Sequence, residues 1–226
     1  MSETNEVKEL NLQETISRTE DFVNKNRRSL GIIGGAVLLA VVGYLVYQKW
    51  YVAGKEKEAS AQMFMAEEYF KNDSLKLAVN GDGNFPGFQE VIDEYGVSPS
   101  ANLAHFYLGF SQLRMGKYEE AIETLKGYNG HDDITPSLAL GGIGDAYMEM
   151  NNTDEAISYY EKASAEDKNN FTSPIFLMKL GQALESKGDF KGAVDAYKKI
   201  KENYPATAEG QQVDKYIVRA ESKING

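Results

Sequence analysis

The sequence predicts an all-α chain, a single N-terminal transmembrane helix followed by a solenoid of paired helices, and three observations carry that reading. Leu30 to Tyr47, LGIIGGAVLLAVVGYLVY, holds no charged residue. The chain beyond it repeats itself at a period of 35 to 37 residues. All five prolines fall where helices start or stop, so no sheet is needed.

At 1.5 Å of rise per residue, about 20 helical residues cross the roughly 30 Å hydrocarbon core, and the apolar run extended through Val52 is long enough. A cleaved signal peptide would have a short basic start, a shorter apolar run and small residues before a cut site. Here residues 1–28 form a tail of mixed charge, and Tyr44, Tyr47, Trp50 and Tyr51 occupy the place of a cleavage motif. Those amphipathic rings suit a headgroup boundary and make residues 29–52 a membrane anchor. Arg18, Lys25, Arg27 and Arg28 precede it, whereas Lys49, Lys55 and Lys57 follow. The small excess in front, and the ease with which long C-terminal domains translocate, predict a cytoplasmic N-terminus and a periplasmic C-terminal domain.

Composition narrows the function classes. The chain has 226 residues with 24 basic and 34 acidic groups, a net charge of −10. Five basic and six acidic groups in the tail cancel against Lys49, so the part after the anchor carries the whole −10. Such a surface repels phosphate backbones and excludes nucleic acid as a partner. Cysteine is absent, which removes disulfides, thiolate metal sites, thiol catalysis and a lipidated N-terminal cysteine.

Residues 53–97 open the second part. Ala59, Met63, Ala66 and Phe70 recur at helical spacing and predict a helix from about Lys55 to Lys71. FPGFQEVIDEY, Phe85 to Tyr95, supplies a second helix and completes a degenerate opening repeat. Residues 98–207 then hold three aligned copies: LGFSQLRMGKYEEAIETLKGY from Leu108, IGDAYMEMNNTDEAISYYEKA from Ile143 and LGQALESKGDFKGAVDAYKKI from Leu180. Gly109, Gly144 and Gly181 lie 35 and 37 residues apart, and Ala121, Ala156 and Ala193 keep the same spacings. Ser98–Pro99, Thr135–Pro136 and Ser173–Pro174 predict hydroxyl-capped first helices, and Asn152 with Glu155 has capping-box spacing. Residues 208–226 are the terminal cap, with Val213, Tyr216, Ile217 and Ala220 as its apolar stripe.

In period and in these landmarks the chain resembles the tetratricopeptide-repeat family. There a large apolar residue and a glycine open the contact between two antiparallel helices, as at Leu108–Gly109, Ile143–Gly144 and Leu180–Gly181. A small residue admits the second helix, here Ala121, Ala156 and Ala193, and a bulky one follows, here Leu125, Tyr160 and Tyr197. The chain departs from the pattern at Tyr128 and Ile200, where a small residue is usual and only Ala163 keeps it.

The resemblance implies a binding groove on the first helices. It would be lined by Leu103, Phe106, Phe110, Leu113 and Arg114, then by Leu138, Gly141, Asp145, Met148 and Glu149, and then by Ile175, Met178, Gln182, Glu185 and Ser186. A groove that clamps a C-terminal carboxylate needs lysine and asparagine where Phe106 and Phe110, or Met178 and Gln182, stand. This groove suits an apolar or amphipathic segment instead, while the same rings would serve equally well as packing against a neighbouring repeat or a terminal helix.

Other motifs carry less. Asn80 to Asn84, NGDGN, alternates oxygen side chains as a calcium loop does, yet Phe85 and Val91 stand where such loops need glycine and glutamate. His105 sits at a packing position, and His131 with Asp132 lacks any nucleophile or oxyanion motif beside it. No enzyme and no cofactor is expected. Gly31, Gly35 and Gly43 give the anchor a small-residue face suited to helix packing, although glycine is also common in membrane helices without partners.

The order of short tail, single span, helix and acidic repeats is similar to that of the YfgM family of ancillary Sec-translocon subunits. That resemblance implies the SecYEG channel, a PpiD-like membrane-anchored chaperone and exported polypeptides as partners, at the bacterial inner membrane, with lipid met through one helix. An envelope assembly scaffold, organising cell-wall or outer-membrane machinery, is the alternative from a different class.

Overall fold

A computed structural model describes the backbone of residues 3–166 and 168–225, with side chains over 23–166 and 168–224. It divides into two units, Met1–Gly54 and Lys55–Gly226. Arg18 of the tail lies outside the described side chains.

The first unit is helical: α1 (Glu3–Val46) leads into a π-helical stretch, Tyr47–Val52. One stretch here is long and apolar enough to cross a membrane, and none of its apolar window is buried. Nothing among the described residues lies within 4 Å of a Cβ built at Gly31, Gly34, Gly35 or Gly43. The Tyr47 and Tyr51 rings stack at 5.3 Å, Gln48 donates to the Tyr44 hydroxyl at 3.0 Å, and Trp50 is 78% exposed.

The second unit begins with α2 (Ala53–Lys71), α3 (Leu75–Asn80) and α4 (Phe88–Tyr95). Three helix pairs follow: α5 (Pro99–Arg114) with α6 (Tyr118–Lys126), α7 (Thr135–Glu149) with α8 (Thr153–Ala165), and α9 (Ser173–Lys187) with α10 (Phe190–Asn203). α11 (Ala208–Gln212) and α12 (Asp214–Asn225) close the array.

Glycine and alanine set the distance within each pair. A Cβ built at Gly109 would sit 2.5 Å from Leu125, one at Gly144 2.6 Å from Tyr160, and one at Gly181 2.2 Å from Tyr197. The bulky residue of the second helix therefore rests directly on the backbone of the first, and even alanine would force the helices apart. Ala121, Ala156 and Ala193 are fully buried at the same contacts. Deleting one such buried Leu or Tyr side chain costs about 2–5 kcal/mol.

The core runs as three clusters along the stack. Ala59, Met63 and Ala66 of α2 join Phe88, Val91 and Leu108 in the first. Ile122, Leu125 and Ile143 anchor the second, and Tyr160, Phe176, Tyr197 and Ile200, with Val213 and Ile217 of the terminal segment, form the third. Glu56 of α2 accepts from the Ser100 amide and hydroxyl, both at 2.8 Å, so a carboxylate stands at the N-terminus of α5 where the helix dipole favours it.

Three local expectations need correction. Ser98 caps α5 by accepting from the Ala101 amide, but hydroxyls do not cap the other two first helices. There Asp132 accepts from the amides of Ile134 and Thr135, and Asn169 from those of Phe171 and Thr172. An amide or carboxylate oxygen two or three residues upstream reaches these donors while the hydroxyl bonds elsewhere. α4 starts at Phe88, not Phe85, because Asp82 accepts from the amides of Asn84 and Phe85 and folds that segment into a turn, which the helix leaves through extended Gly87. The cap is two helices meeting at buried Val213. Its stripe still faces inward: Val213, Ile217 and Ala220 are buried.

Candidate protein-interaction cleft

Residues one place after the conserved-spacing glycine meet residues two places before it in the next repeat. At the first seam this brings the Phe110 ring onto Gly142, where a Cβ would lie 2.9 Å from it. At the second seam the same places hold Asp145 and Lys179, which pair at 2.6 and 2.7 Å. An open cleft of about 540 Å³ forms on the first-helix side of that second seam.

Leu113, Met148 and Ala183 supply its apolar wall, Glu149 and Gln182 its polar rim. Tyr118 and Tyr160 enter from the second helices. Tyr160 is buried and donates to Asp145 at 2.8 Å. Burial first, and then the negative charge of Asp145, push its hydroxyl far above the ordinary range, so it stays a neutral donor. Tyr118 donates to Glu149 at 3.3 Å. The Lys179 ammonium lies 5.9 Å from the ring centroids of both Tyr160 and Phe176. The cleft thus offers two aliphatic side chains next to an exposed carboxylate, with the lysine already neutralised. It suits an apolar side chain followed by a cation.

Of the groove residues named from sequence, Leu113, Asp145, Met148, Glu149 and Gln182 come together here. The others lie elsewhere. Leu103 packs on the first core cluster. Phe106 and Phe110 meet as tilted rings 4.7 Å apart in the first seam, where Phe106 also meets Tyr128 at 5.3 Å, and both are half-buried. Arg114 pairs with Asp73 at 2.5 Å and covers the Phe70 ring. Met178 packs on the third cluster. Gly141 admits the Phe176 ring, and Glu185 accepts from Arg219 of α12 at 2.7 and 3.0 Å and from Tyr197 at 2.7 Å. Burial alone would raise the Glu185 carboxyl, but the bonds from Arg219 and Tyr197 together hold it below its ordinary value. Sequence reasoning missed Lys179, Tyr118 and Tyr160 as wall residues. The signal for Lys179 was its offset, two before Gly181, the place that Gly142 and Tyr107 fill in the other repeats.

Helix pairs stacked at a regular period around small-residue contacts define a helical-repeat protein of the interaction-scaffold class. Tetratricopeptide-repeat profiles match residues 142–208 and 103–128, and these parts of the chain are tetratricopeptide repeats. Tetratricopeptide repeat protein 29 of Macaca fascicularis is 27% identical over 142 residues, which cover 59% of this chain and 28% of that protein. The chain therefore spans little more than a quarter of that relative. Among solved structures, a kinesin light chain with nearly identical repeats from Podosopora anserina superposes with a TM-score of 0.57 at 15% identity, covering 75% of this chain and 88% of that one. The MamA protein superposes at 0.54 with 19% identity, covering 74% and 92%. These likenesses bear on the fold. Such repeats are protein-interaction modules and typically non-catalytic scaffolds.

Proposed function

We propose that the protein is a membrane-anchored interaction module, ancillary to the Sec translocon, that presents its repeat domain in the periplasm to a PpiD-like chaperone and to emerging exported chains. The cleft of Leu113, Met148, Glu149 and Gln182 is the observation that carries the binding part of this reading. An apolar wall with an exposed carboxylate that no described cation pairs suits short segments that mix apolar and basic residues, and unfolded exported chains expose these. The unburied apolar run of the first unit supports the anchor, and the tail, span and acidic repeats in that order support the translocon. No residue is assigned a catalytic role.

A photo-crosslinker at position 148 in the full-length chain, followed by mild-detergent purification and mass spectrometry, tests it. SecYEG, the chaperone and exported chains should be recovered through the crosslink. Recovery of cell-wall or outer-membrane assembly machinery without any Sec component would replace this reading with an envelope scaffold. Single cysteines at Ser2 and at Asn225 test the topology: a membrane-impermeant maleimide on intact cells should label only the C-terminal one. Labelling of the N-terminal one alone would put the repeats in the cytoplasm.

A further inference from the structure

Two clefts open on the second-helix side of the repeat domain, and they occupy equivalent places in successive repeats. Leu140, Lys162 and Glu166 line one; Leu177, Lys199 and Asn203 line the other, each 37 residues after its counterpart. The earlier cleft is therefore a reference for what the later one has changed.

In the earlier cleft, of about 350 Å³, the lysines have other company. Lys126 pairs with Glu123 at 2.9 Å, the Lys162 ammonium lies 4.5 Å from the Tyr159 ring centroid, and the Glu166 carboxylate sits in the same lining. The later cleft, of about 550 Å³, has an amide, Asn203, in the carboxylate's place and again holds two lysines, Lys168 and Lys199. Among the described residues no carboxylate lines it, and no ion pair or side-chain hydrogen bond engages the ammonium of Lys168 or Lys199.

The donor set says what would fill it. Asn203 uses one N–H on the Lys199 carbonyl at 3.0 Å and keeps the other, while Asn170 and Tyr204 line the same space. Two ammonium groups act as point charges without the fork that matches a planar carboxylate, and among the described residues no arginine lines the cleft. Point charges with neutral donors around them suit a tetrahedral, multiply charged oxyanion. The volume leaves room for an organic body against Leu177 and Tyr204. We propose that the cleft between α8 and α10 binds the phosphate group of a small organophosphate or of a phospholipid headgroup, a site separate from the first-helix cleft and independent of what that cleft binds.

The test reads each lysine in the full-length chain, held in phosphatidylcholine nanodiscs at constant ionic strength. Acylation rates of individual lysines are followed by mass spectrometry with inorganic phosphate, with glycerol phosphate, with an oligoglutamate peptide, or with phosphatidylglycerol included in the disc. At about three times a Kd near 1 mM, occupancy leaves about a quarter of the site free, so Lys168 and Lys199 should slow about fourfold while Lys162 and Lys191 keep their rates. Asn203→Glu restores the carboxylate that the equivalent cleft tolerates; it should abolish the protection and leave the melting temperature unchanged. Protection by the soluble phosphates assigns a soluble ligand, and protection only in phosphatidylglycerol discs assigns a headgroup. Equal slowing of all lysines, no slowing in any arm, or oligoglutamate protecting as well as phosphate overturns the proposal.

Discussion

The two seams of the repeat array use one structural position for opposite purposes. Where the first repeat meets the second, Phe110 lies on Gly142 inside a cluster of rings; where the second meets the third, Asp145 holds Lys179. The backbone relation is the same, and the neighbours decide the chemistry. At the first seam Phe106, Tyr128 and Leu125 surround the contact, so it is closed and apolar. At the second, both charges keep about a third of their side-chain surface in water, and a cleft remains beside them. A stacked-repeat protein can thus hold its layers together at one interface and leave the next one open for recognition.

The largest effect should come from putting a charge in the closed seam. Phe110→Asp buries a carboxylate among rings and should cost about 3–4 kcal/mol, seen as a large drop in melting temperature. An unchanged melting temperature with lost partner capture would move Phe110 from packing to binding and erase the contrast between the seams. Tyr160→Phe sharpens the second seam: the ring stays on Gly144, one hydrogen bond to Asp145 goes, and the loss should be about 1 kcal/mol. Lys179→Met should change stability by less, about 0.5 kcal/mol, because about a third of each side chain of the pair stays in water. It should instead strengthen crosslinking of basic segments from position 148, since Asp145 is set free. Weaker capture would mean that the lysine itself contacts the partner.

The smallest effect is a pH dependence confined to the first repeat. His105 lies against Gly127 with its Nδ1 buried and unpartnered, and burial lowers its imidazole below the ordinary value of 6.5. As pH falls below that value the unfolded chain takes up a proton before the folded one does, so stability declines until the folded imidazole also protonates. Urea melts across that window should show the decline, and His105→Phe should flatten it. A slope unchanged by the substitution would assign it to other groups.

Much of the fold was legible in the sequence because its contacts are local and periodic. Gly109 against Leu125, Gly144 against Tyr160 and Gly181 against Tyr197 each join residues 16 apart in one helix pair, so a repeated glycine and a repeated bulky residue betray them. The groove was only half legible. Leu113, Asp145 and Met148 converge as their offsets implied, but Phe110 and Glu185 share those offsets and are taken up by other parts of the chain. Whether a first-helix position faces solvent depends on what stands across the seam, and repeat alignment carries no information about that.

By itself, the sequence determined the apolar run that water cannot accommodate, the acidic surface of the remainder, the helix-pair period and the small residues that set the pair spacing, since each follows from composition or from contacts within a few turns. Only the tertiary structure decided that Lys179 neutralises Asp145, that Arg219 of the terminal helix occupies Glu185, and that Lys168 and Lys199 share a cleft without a described carboxylate. Those pairings join residues about 30 positions apart across seams. The stacking of one repeat on the next brings them together, and the energy of each pair is small beside the packing that places it.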